Sequence, residues 1–157
     1  MREKTVCFTG HRIIPRSDEE VISRRLEYTL ISSIENGYRY FGVGGAVGFD
    51  MMAEEMVLRL KRYYPAIRLI LVLPCKSHDK YWNSIDRGRF ERILSCADKV
   101  VYISQNYTPD CTFRRNRHLV DNSSLCICYL TKYIGGTAYT VNYAKKNGCR
   151  VINLAEE

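Results

Sequence analysis

The chain is 157 residues long, the size of one domain that buries roughly 70% of the surface its unfolded form exposes. A charged start, Met-Arg-Glu-Lys, and the absence of any apolar run near the ~20 residues of a membrane span argue against a signal peptide or membrane passage and for a cytoplasmic protein. The formal net charge of +7 favours phosphorylated or polyanionic partners; seven cysteines, odd in number and scattered through apolar segments, fit reduced core thiols, and the only close pair, Cys126 and Cys128, lacks the second Cys or His pair of a zinc site, so no metal is expected.

Residues 5–9 read as a buried strand that delivers Gly10, His11 and Arg12 at its carboxyl end, before Pro15. Ser17 with Glu20 has the spacing of a capping box, and Ile22, Leu26, Leu30 and Ile34 then recur every four residues until Asn36-Gly37 stops the helix. Residues 38–43 are aromatic and β-branched enough for a second strand, and residues 51–64 have the composition of a good helix former. Between them stand Gly44, Gly45 and Gly48. Residues 67–73 form a nearly continuous aliphatic run closed by Pro74, as in a parallel strand covered on both faces. A polar loop over 76–83 holds His78, Tyr81 and the only tryptophan, Trp82, a ring able either to stack on a base or to cover a core edge. Helical spacing returns over 84–97, a fourth strand over 99–103, and a loop over 105–112 leads to a helix over 114–122 that carries the densest basic cluster, Arg114, Arg115, Arg117 and His118. After a fifth strand at 125–130 the sequence from Lys132 repeats the design of strand, glycine turn and helix around Gly135, Gly136 and Thr137, and residues 150–154 close a sixth strand.

Glycines at a strand-to-helix turn remove Cβ atoms where the first helical N–H groups are unpaired, so an anion could approach the main chain; equally, they let strand and helix pack closely. The G-G-x-x-G spacing matches neither the dinucleotide fingerprint nor a P-loop. Asp50 could accept hydrogen bonds from a sugar hydroxyl or cap the helix, whose N-terminus should keep it ionised. Six strands alternating with helices specify a three-layer, mostly parallel α/β sheet with right-handed crossovers, in which ligands bind beyond the carboxyl ends of the strands. That topology gathers Gly10 to Arg12, Gly44 to Asp50, a helix start at Arg114 to Asn116, and Gly135 to Thr137 on one rim.

Thr-Gly-His-Arg near the start, Gly-Gly-x-x-Gly-x-Asp with Ala53 and Glu54, Trp82, Arg115-Asn116 and Gly-Gly-Thr together resemble the YpsA-like branch of the SLOG superfamily over nearly the whole chain. The resemblance implies a single Rossmann-like domain over residues 1–157, related to LOG-type phosphoribohydrolases and to DprA, with nucleotides, their derivatives or nucleic acid as ligands. It also implies that the turns at Gly44 to Gly48 and at Gly135, Gly136 and Thr137 bind phosphate, that Asp50 falls where the branch keeps an acidic residue, and that Arg115 falls where LOG-type enzymes place the Arg of an Arg-Lys pair. Asn116 replaces the Lys of the LOG-type Arg-Lys pair, and Thr140 stands where those enzymes keep a catalytic Glu.

The favoured expectation is therefore binding or sensing of a nucleotide-like small molecule, with Arg115 neutralising phosphate, Asp50 or Asn116 fixing a sugar hydroxyl, and no separate cofactor. A hydrolase of an N-glycosidic or related bond is the alternative, with Asp50 or Glu54 activating water. Single-stranded nucleic-acid binding is the third reading, favoured by charge and by Tyr and Trp, and opposed by basic residues that fall largely at separate helix ends. A homo-oligomer is compatible with each.

Overall fold

The computed structural model describes residues 1–156. After a short 3₁₀ turn at Arg2–Lys4, strands and helices alternate: β1 (Thr5–Gly10), α1 (Arg16–Glu35), β2 (Tyr40–Val43), α2 (Phe49–Lys61), β3 (Arg68–Leu73), α3 (Ser84–Cys96), β4 (Lys99–Tyr102), α4 (Cys111–Asp121), β5 (Leu125–Tyr129), α5 (Gly136–Lys146) and β6 (Arg150–Asn153). The six strands pair in the order β4-β3-β2-β1-β5-β6, every pairing parallel, so the fold is Rossmann-like. The chain runs outward from β1 to β4 and then crosses back to β5, on the other side of β1.

Side-chain alternation along the strands divides the interior in two. Val6 and Phe8 of β1, Leu69, Leu71 and Leu73 of β3, and Leu125, Ile127 and Tyr129 of β5 pack with Ile22, Leu26 and Leu30 of α1, the apolar side of α2, and Phe90 and Ile93 of α3. The intervening residues, Cys7, Val72, Cys126 and Cys128, face Leu119 and Val120 of α4 and Val141 and Ala144 of α5. Thus α1, α2 and α3 cover one face of the sheet, and α4 and α5 the other. Six of the seven cysteines are buried and Cys96 is exposed.

Three local expectations fail. Ser17 caps nothing: Pro15, with φ fixed at −54°, is the N-cap, the helix begins at Arg16, and Ser17 already lies in its first turn. The helix expected from Arg114 begins at Cys111, because a turn at Thr108 to Asp110 starts it early, with Cys111 N donating to Thr108 O (3.2 Å) and Arg114 N to Asp110 O (3.0 Å). Arg115 therefore lies a turn inside the helix instead of at its start. No strand precedes Gly135; residues 130–135 form a loop, anchored where Leu130 exchanges bonds of 3.1 and 3.0 Å with the Asn153 side-chain amide. Among the described residues no helix is long and apolar enough to cross a membrane.

Candidate functional site

Four polar groups of the turn between β2 and α2 are engaged by the protein itself. Arg115 Nη1 donates to Gly44 O, His78 Nε2 lies 2.9 Å from Gly45 O, Ala46 N donates to Asp50 Oδ2 at 3.2 Å, and Phe49 N donates to His11 O at 3.1 Å. A Cβ at Gly44 would stand 2.5 Å from Arg115 Nη1 and 2.8 Å from its Cζ, so the bare Cα is the space that the guanidinium occupies. Gly48 adopts φ of 78°, a conformation that favours glycine, and a Cβ there would overlap the Arg12 carbonyl. These glycines admit a side chain and a neighbouring backbone.

Arg115 is 95% buried and stands over two buried carboxyls, Asp50 and Glu54, one helical turn apart on α2. Its Nε also donates to Asn116 Oδ1 at 2.7 Å. Burial pushes the Asp50 carboxyl up to about 6, against the opposing pull of Arg115, the Ala46 N–H and Arg12. Asp50 therefore stays mostly ionised at neutral pH, as its place in the first turn of α2 suggests, but takes up its proton at a much higher pH than an exposed carboxylate because desolvation outweighs the dipole. Glu54, fully buried, is held well above the usual carboxylate range by burial first and by Asp50 second. Asp50 Oδ1 and both Glu54 oxygens have no hydrogen-bond partner among the described residues. Burying a neutral carboxylic acid there costs far less than burying a carboxylate, which is the physical cause of the upward shifts.

Beside this cluster, beyond the carboxyl ends of β1, β2 and β3, opens a cavity of about 470 Å³. Its aromatic wall is Trp82, Tyr81, Tyr107 and His78; Arg12, Lys80 and the edge of Arg115 supply positive charge. Pro74, Cys75 and Ala46 form the strand-end side, and Cys111 and Thr112 bring the first turn of α4, the positive end of its dipole. Trp82 covers a core edge: half-buried, it packs on the core, its ring meets His78 and Phe90 edge-on at 5.3 and 5.5 Å between centroids, and it also stands on the cavity wall. Burial lowers the His78 pKa, so the ring is neutral near pH 7, with Nε2 donating to Gly45 O. A wider groove of about 920 Å³ between α1 and α2 also touches Arg12 and Gly48, but the charges of Arg12, Arg16, Arg59 and Arg89 on its wall are balanced by Glu19, Glu20, Glu55 and Asp86, with Arg89 already paired to Glu55 and Arg59 to Glu27.

Of the sequence-derived candidates, Arg12 and Arg115 border the cavity; Gly44 and Gly45 lie directly behind it; Asp50 and Glu54 are not on its wall. Gly10 faces the Phe49 ring. His11 Nε2 accepts from Thr131 N and Lys132 N at 2.9 and 3.3 Å, so it ties down the 130–135 loop. Gly135 and Gly136 are exposed, Thr137 follows them in the first turn of α5, and Thr140 Oγ1 donates to Gly136 O at 2.9 Å inside that helix. None of these four reaches the cavity wall. His78, Tyr81 and Lys80 were visible only as a polar, aromatic loop, and Tyr107 and Thr112 carried no sequence signal.

Residues 14–151 match the sequence model of the YspA SLOG family, YpsA. An uncharacterized SPbeta prophage-derived protein of Bacillus subtilis, YoqJ, is 30% identical over 124 residues, 71% of this chain and 72% of the relative. A UPF0398 protein of Halalkalibacterium halodurans is 30% identical over 128 residues, 80% of this chain and 68% of the relative. Among solved structures, DNA processing protein A of Streptococcus pneumoniae superposes with a TM-score of 0.68 at 17% identity, over 95% of this chain and 49% of that one. DNA processing protein A of Helicobacter pylori, for which a single-stranded DNA binding mode is described, gives 0.62 at 21% identity, over 94% and 63%. The chain thus spans about half to two thirds of those two proteins, and at these identities the likeness is one of fold.

Proposed function

The chain belongs to the YspA SLOG family, and from that premise we propose that the cavity at the carboxyl ends of β1 to β3 binds a nucleotide or a nucleotide-derived small molecule. The observation that carries the reading is the pairing, in one cavity of about 470 Å³, of an aromatic wall with two exposed cations. Trp82, Tyr81 and Tyr107 offer faces to a planar base, while Arg12, Lys80 and the N-terminal turn of α4 offer charge to a phosphate. The volume lies within the range of small-ligand sites.

Binding is preferred to turnover because the two acids that hydrolysis would use, Asp50 and Glu54, stand behind Arg115 and off the cavity wall. A general base must reach its proton directly or through one water. Thr140, whose hydroxyl is turned to Gly136 O, supplies no carboxylate in their place.

A thermal-shift screen over nucleoside monophosphates, dinucleotides, ADP-ribose and the corresponding nucleosides tests the proposal. At a hundredfold excess over Kd a single site adds about 2.7 kcal/mol, or about 5–10 °C for a domain of this size. Shifts for phosphorylated compounds that exceed those for their nucleosides are the expected result. No shift from any of them would overturn it.

A further inference from the structure

The two faces of the sheet differ in charge. Helices α1, α2 and α3 carry eight basic and ten acidic residues, whereas α4 and α5 carry five basic residues and one acidic, Asp121. On the first face most cations are paired, Arg24 with Glu20, Arg59 with Glu27, Lys61 with Asp98, Arg87 with Asp79 and Arg89 with Glu55, while Arg16 and Arg92 stand among an excess of acids. On the second, Arg114, Lys145 and Lys146 are exposed and form no ion pair among the described residues.

An aromatic seam runs along the same face between the two helices. Phe113, 45% exposed, meets Tyr139 edge-on with centroids 5.2 Å apart, and Tyr139 lies nearly parallel to Tyr143 at 6.4 Å. The Arg117 guanidinium sits 5.7 Å from both tyrosine centroids and donates from Nε to Tyr139 Oη at 3.0 Å, while Tyr143 Oη donates to Asp121 at 2.7 Å. Two half-buried tyrosines are thereby tethered beside the exposed Phe113 ring, with cations on either side.

From this we infer that the α4–α5 face is a docking surface for single-stranded nucleic acid. Fixed aromatic rings give bases a sequence-tolerant platform, and unpaired cations give the phosphates a track. Charge complementarity selects this occupant over a second copy of the chain, since an isologous contact would set the same unpaired cations against each other. The sequence alone suggested that the basic residues sit at separate helix ends; folding places the rim end of α4 and the far end of α5 on one face. The inference rests on a different face from the nucleotide cavity and stands or falls separately from it.

The experiment is fluorescence anisotropy with a labelled oligothymidylate of about 12 nucleotides, comparable to the site sizes of single-strand-binding domains, across a salt series. The wild-type protein should bind with a log Kd that rises linearly with log salt. Phe113→Ala should weaken binding about tenfold, and Arg114→Ala combined with Lys146→Ala should flatten the salt slope by about 1.4 for two phosphates released. Arg59→Ala, on the opposite face, should change neither. Circular dichroism melting of each variant, all at exposed positions, reports that the fold is kept. Absence of binding would overturn the inference, as would equal losses in Arg59→Ala or a loss confined to Arg12→Ala, which would move the strand to the rim. Dissociation of an oligomer by Phe113→Ala, with no DNA bound by the wild type, would assign the face to a second copy instead.

Discussion

Asp50→Asn isolates the least ordinary group in the protein. In the folded state the carboxyl titrates at about 6, against an ordinary value of 3.8, because burial disfavours its charge more than Arg115, the Ala46 N–H and Arg12 favour it. The folded protein therefore holds this proton more tightly than the unfolded chain does. Its contribution to stability is full below about pH 4, falls as pH rises through about 6, and is level above. At 1.36 kcal/mol per tenfold change in proton affinity, the total loss is about 3 kcal/mol. Asparagine removes the titration while keeping an oxygen that can accept from Ala46 N. The assay is urea denaturation of both proteins from about pH 4 to about pH 7, because their difference cancels the carboxylates remote from Asp50 and leaves only its own titration and its coupling to Glu54. Relative to the variant, the wild type should lose about 2–2.5 kcal/mol over that range, most of the total. A difference that stays flat would show that Asp50 is ionised throughout in a hydrated or fully paired state, and the buried-acid account would be wrong.

Three further outcomes follow from where the glycines and arginines sit. Gly48→Val should destabilise the fold, by about 1–3 kcal/mol for overpacking against the Arg12 backbone plus about 1–3 for a branched residue at φ of 78°, read as a lowered melting temperature; a variant as stable as the wild type would contradict the packing role. Arg115→Ala should cost about 3–5 kcal/mol of stability, since it leaves Asp50 and Gly44 O without their buried partner. Arg12→Ala, by contrast, should leave stability within about 0.5 kcal/mol and weaken a phosphorylated ligand by about 1.5–3 kcal/mol more than its dephosphorylated analogue, measured by calorimetry. Equal losses for the two analogues would remove Arg12 from the phosphate site.

The architecture was legible because each strand carries its own punctuation. The aliphatic run ending at Pro74 became β3, the four-residue repeat from Ile22 became α1, and six strands alternating with helices left few topologies other than an all-parallel sheet. Helix starts were less legible, since at α1 and α4 a proline and a turn at residues 108–110 act before the residues that look like caps or helix formers. The site was half legible. A glycine that admits a phosphate and one that admits a guanidinium look the same in sequence, so the roles of Gly44 and Gly48 waited on where Arg115 and Arg12 lie. Arg115 borders the rim cavity from the second turn of α4 and faces inward as much as outward, toward Asp50 and Gly44 O. Tyr107 and Thr112 come to the cavity through the length of the loop after β4, which no local pattern encodes.

Trp82 is the only tryptophan in the chain and stands on the cavity wall, so its emission is a direct reporter of that cavity. The most direct test of the nucleotide-site claim is a fluorescence titration with whichever phosphorylated compound gives the largest thermal shift, run in the wild type and in Arg12→Ala. The account predicts saturable quenching or a spectral shift whose midpoint agrees with the calorimetric Kd and moves to higher concentration, by about tenfold or more, in Arg12→Ala. Emission that stays unchanged at concentrations where the thermal shift is saturated would place the ligand elsewhere on the protein and contradict the account.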